Sequence, residues 1–365
     1  MGLAHRLLLL ALMVLACAPA WAGVQIPTSS PFSYNVGCTY DSWMQSWIAY
    51  SREDTVRYVA RDLDGITNHF RMIHTYHDAA VGTSELLADP GTLGVLTYAR
   101  EHQDKNLQLF LATNEDAATA GKLGSLDYAR RWVQTILLDP LGNDVQLAAR
   151  TVKAIGIGNE IDAQGVFSVG DFRTAVSNLG QALREKGLGS LPITTTIANI
   201  SHNSVAKGFV DALGETWQAS WGHKFVFANN FPWMQGQGLE ALKTWYAGAQ
   251  AEYSSWNLFI GETGYPSQSD PSQGFDRDQR FPQVSGGTGE YNYVTDMFNW
   301  LGGQYAEGKM TVPTFLFSAY DEPRKVPSVA GCSENHYGLL QGNGTPKSDA
   351  EGKTISIPHW VSQAR

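Results

Sequence analysis

Val152-Lys153-Ala154-Ile155-Gly156-Ile157-Gly158-Asn159-Glu160 is an apolar run that stops abruptly at a carboxylate. It reads as a short buried strand, Val152–Gly158, followed by a loop. The same design recurs at Leu258-Phe259-Ile260-Gly261-Glu262-Thr263-Gly264-Tyr265-Pro266, with a strand over Leu258–Gly261. Six more strands lie around these two: Phe32–Gly37, His69–His74, Leu107–Ala112, Ile193–Ala198, Phe225–Asn229 and Thr314–Ala319. Between them the apolar period lengthens to that of helices. The first opens at Ser51-Arg52-Glu53-Asp54 and runs through Val56, Val59, Ala60 and Leu63. Others cover Leu86–His102 (interrupted at Asp89-Pro90-Gly91), Leu126–Leu138, Asp171–Lys186, Val205–Leu213, Leu239–Tyr253 and Tyr291–Tyr305.

Strict alternation of apolar strands with helices implies a parallel sheet covered by helices. Eight such units fit an α/β (β/α)8 TIM barrel in a single domain, from residue 23 to the end. An open doubly wound sheet would carry a glycine-rich phosphate turn after its first strand. Gly37-Cys38-Thr39-Tyr40 is not one. In a barrel of this kind the chemistry gathers at the C-terminal ends of the strands. Glu160 after strand four and Glu262 after strand seven would then face each other across one mouth.

Composition narrows the partners. A net charge of −9 and the lack of any basic patch argue against nucleic acid. The chain has 11 Trp, 15 Tyr and 15 Phe, which suits rings stacked on sugar faces but equally a large core. Residues 1–22 read as a leader: His5 and Arg6, the apolar run Leu7–Ala16, and the cleavage site Ala20-Trp21-Ala22. That run is too short to span a bilayer, so no membrane span is expected. Val14-Leu15-Ala16-Cys17 loosely resembles a lipoprotein box. Leu at its second place is unusual, so cleavage after Ala22 and export, to periplasm or medium, is the favoured reading. Export leaves Cys38 and Cys332 where disulfides are permitted. One follows the first strand and one the last, neighbours when a barrel closes, so a Cys38–Cys332 disulfide is expected. Two free buried thiols are the alternative.

Two carboxylates displayed at strand ends suggest the paired acids of a glycoside hydrolase. The wider pattern then resembles a known family. Gly158-Asn159-Glu160 with a second Glu on strand seven looks like the clan of retaining glycosidases built on this barrel. Gly261-Glu262-Thr263-Gly264-Tyr265-Pro266-Ser267 resembles the E-[ST]-G-W-P-S signature of glycoside hydrolase family 17, with Tyr265 where Trp is usual. Tyr320-Asp321-Glu322-Pro323-Arg324-Lys325 is similar to that family's F-[ND]-E-x-x-K. Glu334-Asn335-His336-Tyr337-Gly338-Leu339-Leu340 is similar to E-x-x-[FY]-G-L-F, and Ala228-Asn229-Asn230-Phe231-Pro232-Trp233 to A-N-x-[YF]-P-[YFW]. The likeness runs through nearly the whole mature chain in the right order, and it looks like an exported, bacterial-type member.

The resemblance implies action on β-1,3-glucan without a cofactor, with Glu262 as nucleophile and Glu160 as acid/base. Physics supports that division. A negative nucleophile disfavours a second charge nearby and raises the partner's pKa. Asn159 can hydrogen-bond the sugar 2-hydroxyl, and the motif carries Asn229 into the substrate-binding set. Glu322, Lys325 and Glu334 match positions of a polar network around the catalytic acid. Phe231, Trp233 and Tyr265 are candidate sugar platforms, each equally readable as core packing. Tyr76 matches the Tyr of the family's R-x-Y, but His74 stands where Arg is expected, and whether Arg71 compensates is open.

His69, His74 and His77 lie close in sequence, but no H-E-x-x-H or cysteine pattern accompanies them, and no metal is expected. A G-x-S-x-G elbow is absent, which removes the esterase reading. A monomer is the expected state. Hydrolysis and transfer of glucan chains both stay open, since loop shape rather than motif decides between water and a sugar acceptor. The rivals are a catalytically silent glucan-binding barrel and a retaining glycosidase of a sister family on another β-glycan.

Overall fold

The computed structural model describes residues 27–45, 51–80, 85–113, 121–269, 288–328, 330–349 and 351–364. The leader and Cys17 lie outside the described residues. Nine parallel strands form one sheet: β1 Val36–Thr39, β2 Met72–Thr75, β3 Gln108–Ala112, β4 Val152–Gly156, β5 Ile193–Thr194, β6 Thr196–Ile197, β7 Phe225–Asn229, β8 Asn257–Thr263 and β9 Thr314–Leu316. The spatial order is β5-β4-β3-β2-β1-β9-β8-β7-β6. β5 and β6 are halves of one stretch interrupted at Thr195, so the ring closes through eight positions into the expected (β/α)8 barrel.

Among the described residues the helices are α1 Arg52–Ile66, α2 Pro90–Glu101, α3 Leu126–Trp132, α4 Val145–Thr151, α5 Ile161–Gln164, α6 Val169–Glu185, α7 Ser204–Thr216, α8 Leu239–Glu252 and α9 Thr288–Ala306. Their starts follow from local chemistry. Ser51 accepts a hydrogen bond from the Asp54 N–H, and Glu53 and Asp54 complement the helix dipole of α1. The Asp89-Pro90-Gly91 interruption proves to be a beginning: Asp89 caps α2 and Pro90 takes the first turn. The expected helix Leu126–Leu138 changes pitch, its second half, Val133–Leu138, being a π-helix. α4, capped by Asp144, was not expected from the pattern; at Val145–Thr151 it offers too few turns to show a period.

Two apolar layers hold the barrel. Val36, Cys38, Ile73, Leu109, Leu111, Val152 and Ile155 point towards the helices with Val59, Leu63 and their neighbours. Their alternates Met72, Phe110, Ala154, Phe227, Phe259 and Phe315 fill the interior. Phe110 and Phe227 come from strands that are not neighbours, yet their rings stack with centroids 4.3 Å apart. The first strand begins later than its apolar alternation implies. Phe32 and Tyr34 belong to the interior cluster and plug the N-terminal end, where Ser33 N–H donates to Gln108 Oε1 at 2.7 Å.

The expected disulfide does not form: Cys38 and Cys332 are both free and buried. Barrel closure does set β1 beside β9, but Cys38 lies inside β1, opposite Leu316, in the helix-facing layer. Cys332 lies well beyond β9, at the start of the short turn Ser333–Asn335 over the mouth. Burial pushes the Cys38 thiol far above its usual range. Among the described residues no helix is long and apolar enough to cross a membrane.

Candidate active site

β8 runs one turn of the pleat further than its apolar core, so Glu262 is part of the strand and 5% exposed. Glu160 arrives differently. β4 ends at Gly156, and the chain turns through Gly158 (φ 69°) and Glu160 itself (φ 49°) into α5. A left-handed glutamate is costly, by roughly 1–3 kcal/mol, and persists only where its surroundings fix it. The Gly158 N–H donates to Thr113 Oγ1 at 3.0 Å, and Thr195 Oγ1 donates to the Ile157 carbonyl at 2.8 Å. Asp162 anchors the other side, accepting from the Ala198 and Asn199 N–H groups at 2.7 and 3.1 Å.

Asn229 joins the two acids. It is the register partner of Glu262 across β7 and β8, and its Nδ2 donates to Glu160 Oε1 at 3.0 Å. Gly261 makes room for it, since a Cβ there would meet Asn229 Oδ1 at 2.5 Å. Gly264 serves a similar end, with the Phe317 carbonyl 2.3 Å from where a Cβ would sit.

Glu160, Glu262, Asn159, Asn229, Tyr76, Phe231, Glu322, Lys325 and Glu334 line one cleft of about 1170 Å³ at the C-terminal mouth. Trp233 and Tyr265 do not. Trp233 is fully buried, packed with Tyr76, Phe317 and Tyr337 as the floor of the cleft. Tyr265 tilts against Tyr293, with centroids 5.5 Å apart. Phe231 alone of the three expected platforms reaches the cleft wall.

The mouth is electrostatically tense. Burial raises the Glu160 pKa, helped by the charges of Asp162 and Glu334 and opposed by Asn229 and Lys325. The cause expected from sequence was a neighbouring nucleophile; burial comes first. Glu322, 2% exposed, is pushed up to about 8 by burial, with Asp41, Glu334 and Asp321 adding to the rise against Lys325. Lys325 Nζ stands 3.1 Å from Glu334 and 3.8 Å from Glu322, over the Phe317 ring at 4.2 Å. Burial works against its charge, but Glu322, Glu334 and Glu262 outweigh that and hold it protonated. Asn335 fixes this loop, accepting from the Val326 N–H at 2.9 Å and donating to the Val326 carbonyl at 3.1 Å. Tyr76 is buried beside Glu262 and Glu322, and burial followed by those two charges raises its hydroxyl well above the ordinary value.

The question at strand two has a definite answer. His74 sits inside the barrel, its ring 4.7 Å from Tyr76 and 4.5 Å from Phe110, and burial lowers its pKa to about 3. Arg71 precedes β2 at the opposite end and donates to the Thr67 carbonyl, so it does not take the place of a cation at the nucleophile. The three histidines separate: His69 contacts the Gly344 carbonyl, His74 is interior, and His77 reaches the rim. Among the described residues no group of three His, Cys, Asp or Glu is arranged to hold a metal ion.

The cleft also takes in residues no motif singled out: Asp41 and His77 at one end, Gln164, Asn199 and Gln235 at the other. All lie just past a strand's C-terminal end, the one signal that could have found them.

No family model matches the chain, nor does any curated protein sequence. Solved structures do. An active-site mutant of Rhizomucor miehei β-1,3-glucanosyltransferase in complex with laminaritriose is 16% identical, with 89% of this chain and 98% of that one covered and a TM-score of 0.58. An endo-laminarinase from Formosa is 19% identical over 90% of this chain and 91% of that one, TM-score 0.57. The exo-β-1,4-mannosidase Op5Man5 from an Opitutaceae bacterium is 14% identical over 93% of this chain and 61% of that one, TM-score 0.56. The chain shares their barrel fold. At such identities the likeness is one of fold alone.

Proposed function

We propose that the chain is a retaining glycoside hydrolase or transglycosylase acting on β-1,3-glucan, with Glu262 as nucleophile and Glu160 as acid/base. The observation that carries this is Asn229, adjacent in register to Glu262 and hydrogen-bonded to Glu160, which ties both acids to one cleft. A retaining mechanism needs its two carboxyl groups close together, about 5–5.5 Å apart, whereas an inverting one leaves room for a water between the acids.

In the first step a Glu262 oxygen attacks the anomeric carbon, and the glycosidic C–O bond breaks with its electron pair. The proton of Glu160 goes to the departing oxygen. Burial, which raises the Glu160 pKa, makes it hold that proton more firmly than an exposed carboxyl would. Once Glu262 is a neutral glycosyl ester its charge is gone, and Glu160 is more easily ionised. It then takes a proton from water or from a sugar hydroxyl as that oxygen attacks and the ester bond breaks. The β-1,3-glucan assignment is supported by the motifs around Glu262, Glu322 and Glu334, with the glucan-acting neighbours in the same fold. A sister activity on another β-glycan is the second reading, favoured by the mannosidase of comparable fold similarity. A silent binding protein is disfavoured by the presence of both acids in the cleft. Export through the Met1–Ala22 leader belongs to the same proposal.

The test uses the purified chain, laminari-oligosaccharides of one defined length, and mass analysis of early products. Shorter products alone mean hydrolysis, and products longer than the substrate mean transfer. Glu262→Gln should lower either by at least about 10⁴-fold. An unchanged substrate, with laminarin bound but intact, would overturn the enzyme reading; turnover of β-mannan oligosaccharides instead would move it to the sister activity.

A further inference from the structure

Asp41 and Trp43, after β1, and His77 and Asp89, after β2, build a rim at one end of the cleft, outside the pair of acids. Asp41 organises it. Its Oδ1 accepts from the Trp43 backbone N–H at 2.8 Å, and its Oδ2 lies 3.3 Å from His77 Nε2. Asp89 completes the brace, accepting from the Trp43 indole Nε1 at 2.6 Å while its other oxygen caps α2 through the Gly91 and Thr92 N–H groups. Thr92 Oγ1 in turn donates to the His77 carbonyl.

This closed set of bonds holds the Trp43 ring in the open and the half-buried His77 ring at the cleft. Trp43 is 38% exposed, although burying an indole is favourable and its N–H is already satisfied by a buried carboxylate. His77 lines the cleft, its ring meeting Trp43 edge-on at 6.4 Å. Burial opposes a charge on His77, but Asp41 first, then Asp89 and Asp78, outweigh it and push its pKa up to about 9. The imidazolium therefore donates Nε2–H to Asp41, and Nδ1–H is left without a partner among the described residues.

The direction of the cleft says what meets this rim. Glu160 serves the leaving group, and with Gln164, at the end of α5, and Asn199, just past β6, it lines the side of the cleft that follows β4 and β6. Tyr76 lies beside Glu262 and is followed in the chain by His77. A sugar chain running from the reacting ring away from the leaving group passes Tyr76 and reaches the rim.

We propose that His77 and Trp43 form a further sugar subsite on the glycone side, His77 donating its Nδ1–H to a sugar hydroxyl and Trp43 offering a ring face, with Asp41 as their positioning residue. It rests on the reading of the chain as a retaining enzyme of β-1,3-glucan. The subsite makes catalysis depend on chain length, because only a donor long enough to reach the rim gains the contact. A charge-assisted hydrogen bond lost there is a loss of about tenfold or more in kcat/KM.

The experiment measures kcat/KM for laminaribiose through laminarihexaose with the full chain and with His77→Ala, Trp43→Ala and Asp41→Asn. The wild-type-to-variant ratio is expected to rise by about tenfold between the short and long donors. His77→Ala and Trp43→Ala should show the rise at the same length, and Asp41→Asn a smaller rise there. A ratio that is flat with length, whether large or near one, overturns the subsite, since misfolding or damage at the reacting centre affects every donor alike. A wild-type chain inert on every length overturns the activity reading and this inference with it; an active chain with a flat ratio overturns this inference alone.

Discussion

The interior of the barrel and its mouth are equally buried and chemically opposite. Below, the apolar rings of Phe110, Phe227, Phe259 and Phe315 interlock, with the His74 ring, its charge disfavoured by burial, packed against Phe110 and Phe315. Above, Glu262, Glu322 and Tyr76 are buried to a similar degree but carry carboxyl and hydroxyl groups. Apolar burial is worth about 25 cal/mol per Å² and stabilises the fold. Burying carboxylates costs free energy and appears as the raised pKa values of Glu160 and Glu322. The interior is organised for stability and the mouth for reactivity, on the same strands a few residues apart.

Substitutions can break that division, and the largest effect is expected at the mouth. Glu160→Gln should lower kcat/KM by about 10²–10⁴-fold on natural oligosaccharides while leaving the urea midpoint close to wild type. The loss should shrink on an aryl glycoside whose leaving group needs no proton. The wild-type rate should fall on the alkaline side as Glu160 ionises. Asn229→Ala, which removes a bond favouring the ionised form, should carry that limb to higher pH. A limb moving to lower pH would contradict the assignment of Glu160 as the acid.

Next in size is the interior. Phe227→Ala deletes a ring that meets Phe32, Phe110, Phe225, Phe259 and Phe315, and should cost about 3–5 kcal/mol by denaturant unfolding. The remaining folded fraction should keep its pH profile. A shifted profile would mean that interior and mouth are coupled rather than divided.

The smallest effect sharpens the comparison. Glu290 near the start of α9 is 2% exposed, and burial pushes it up to about 8 despite Lys347 at 3.8 Å. Its folded pKa lies above its unfolded value, so the native state binds the extra proton and loses stability as pH rises from about 4.5 to about 8. Glu290→Gln should therefore gain on wild type across that window, by about 1–3 kcal/mol at its upper end. Urea midpoints at pH 5 and pH 8 test it, and a gap that does not widen would show that Lys347 already compensates the charge.

The sequence by itself determined the barrel, because apolar strand runs and helical apolar periods are local signals, and eight such strands alternate with the helices between them. It also determined which glutamates to watch, because each closes an apolar run. The strand Phe225–Asn229 was legible to the residue, while the first strand was not, since Phe32 and Tyr34 alternate like a strand yet turn inward as a plug. Cys38 and Cys332 show the limit of seam arguments: adjacent strands do not make adjacent side chains when one points to the helices and the other lies on a distant loop. Trp233 and Phe231 stand two residues apart in one motif, and only packing decided that one is floor and the other wall. Asp41 and His77 carry no motif at all. They meet because β1 and β2 are neighbours in the closed ring. Contacts between residues far apart in sequence depend on how the strands close and which face each side chain takes, and those are properties of the whole fold.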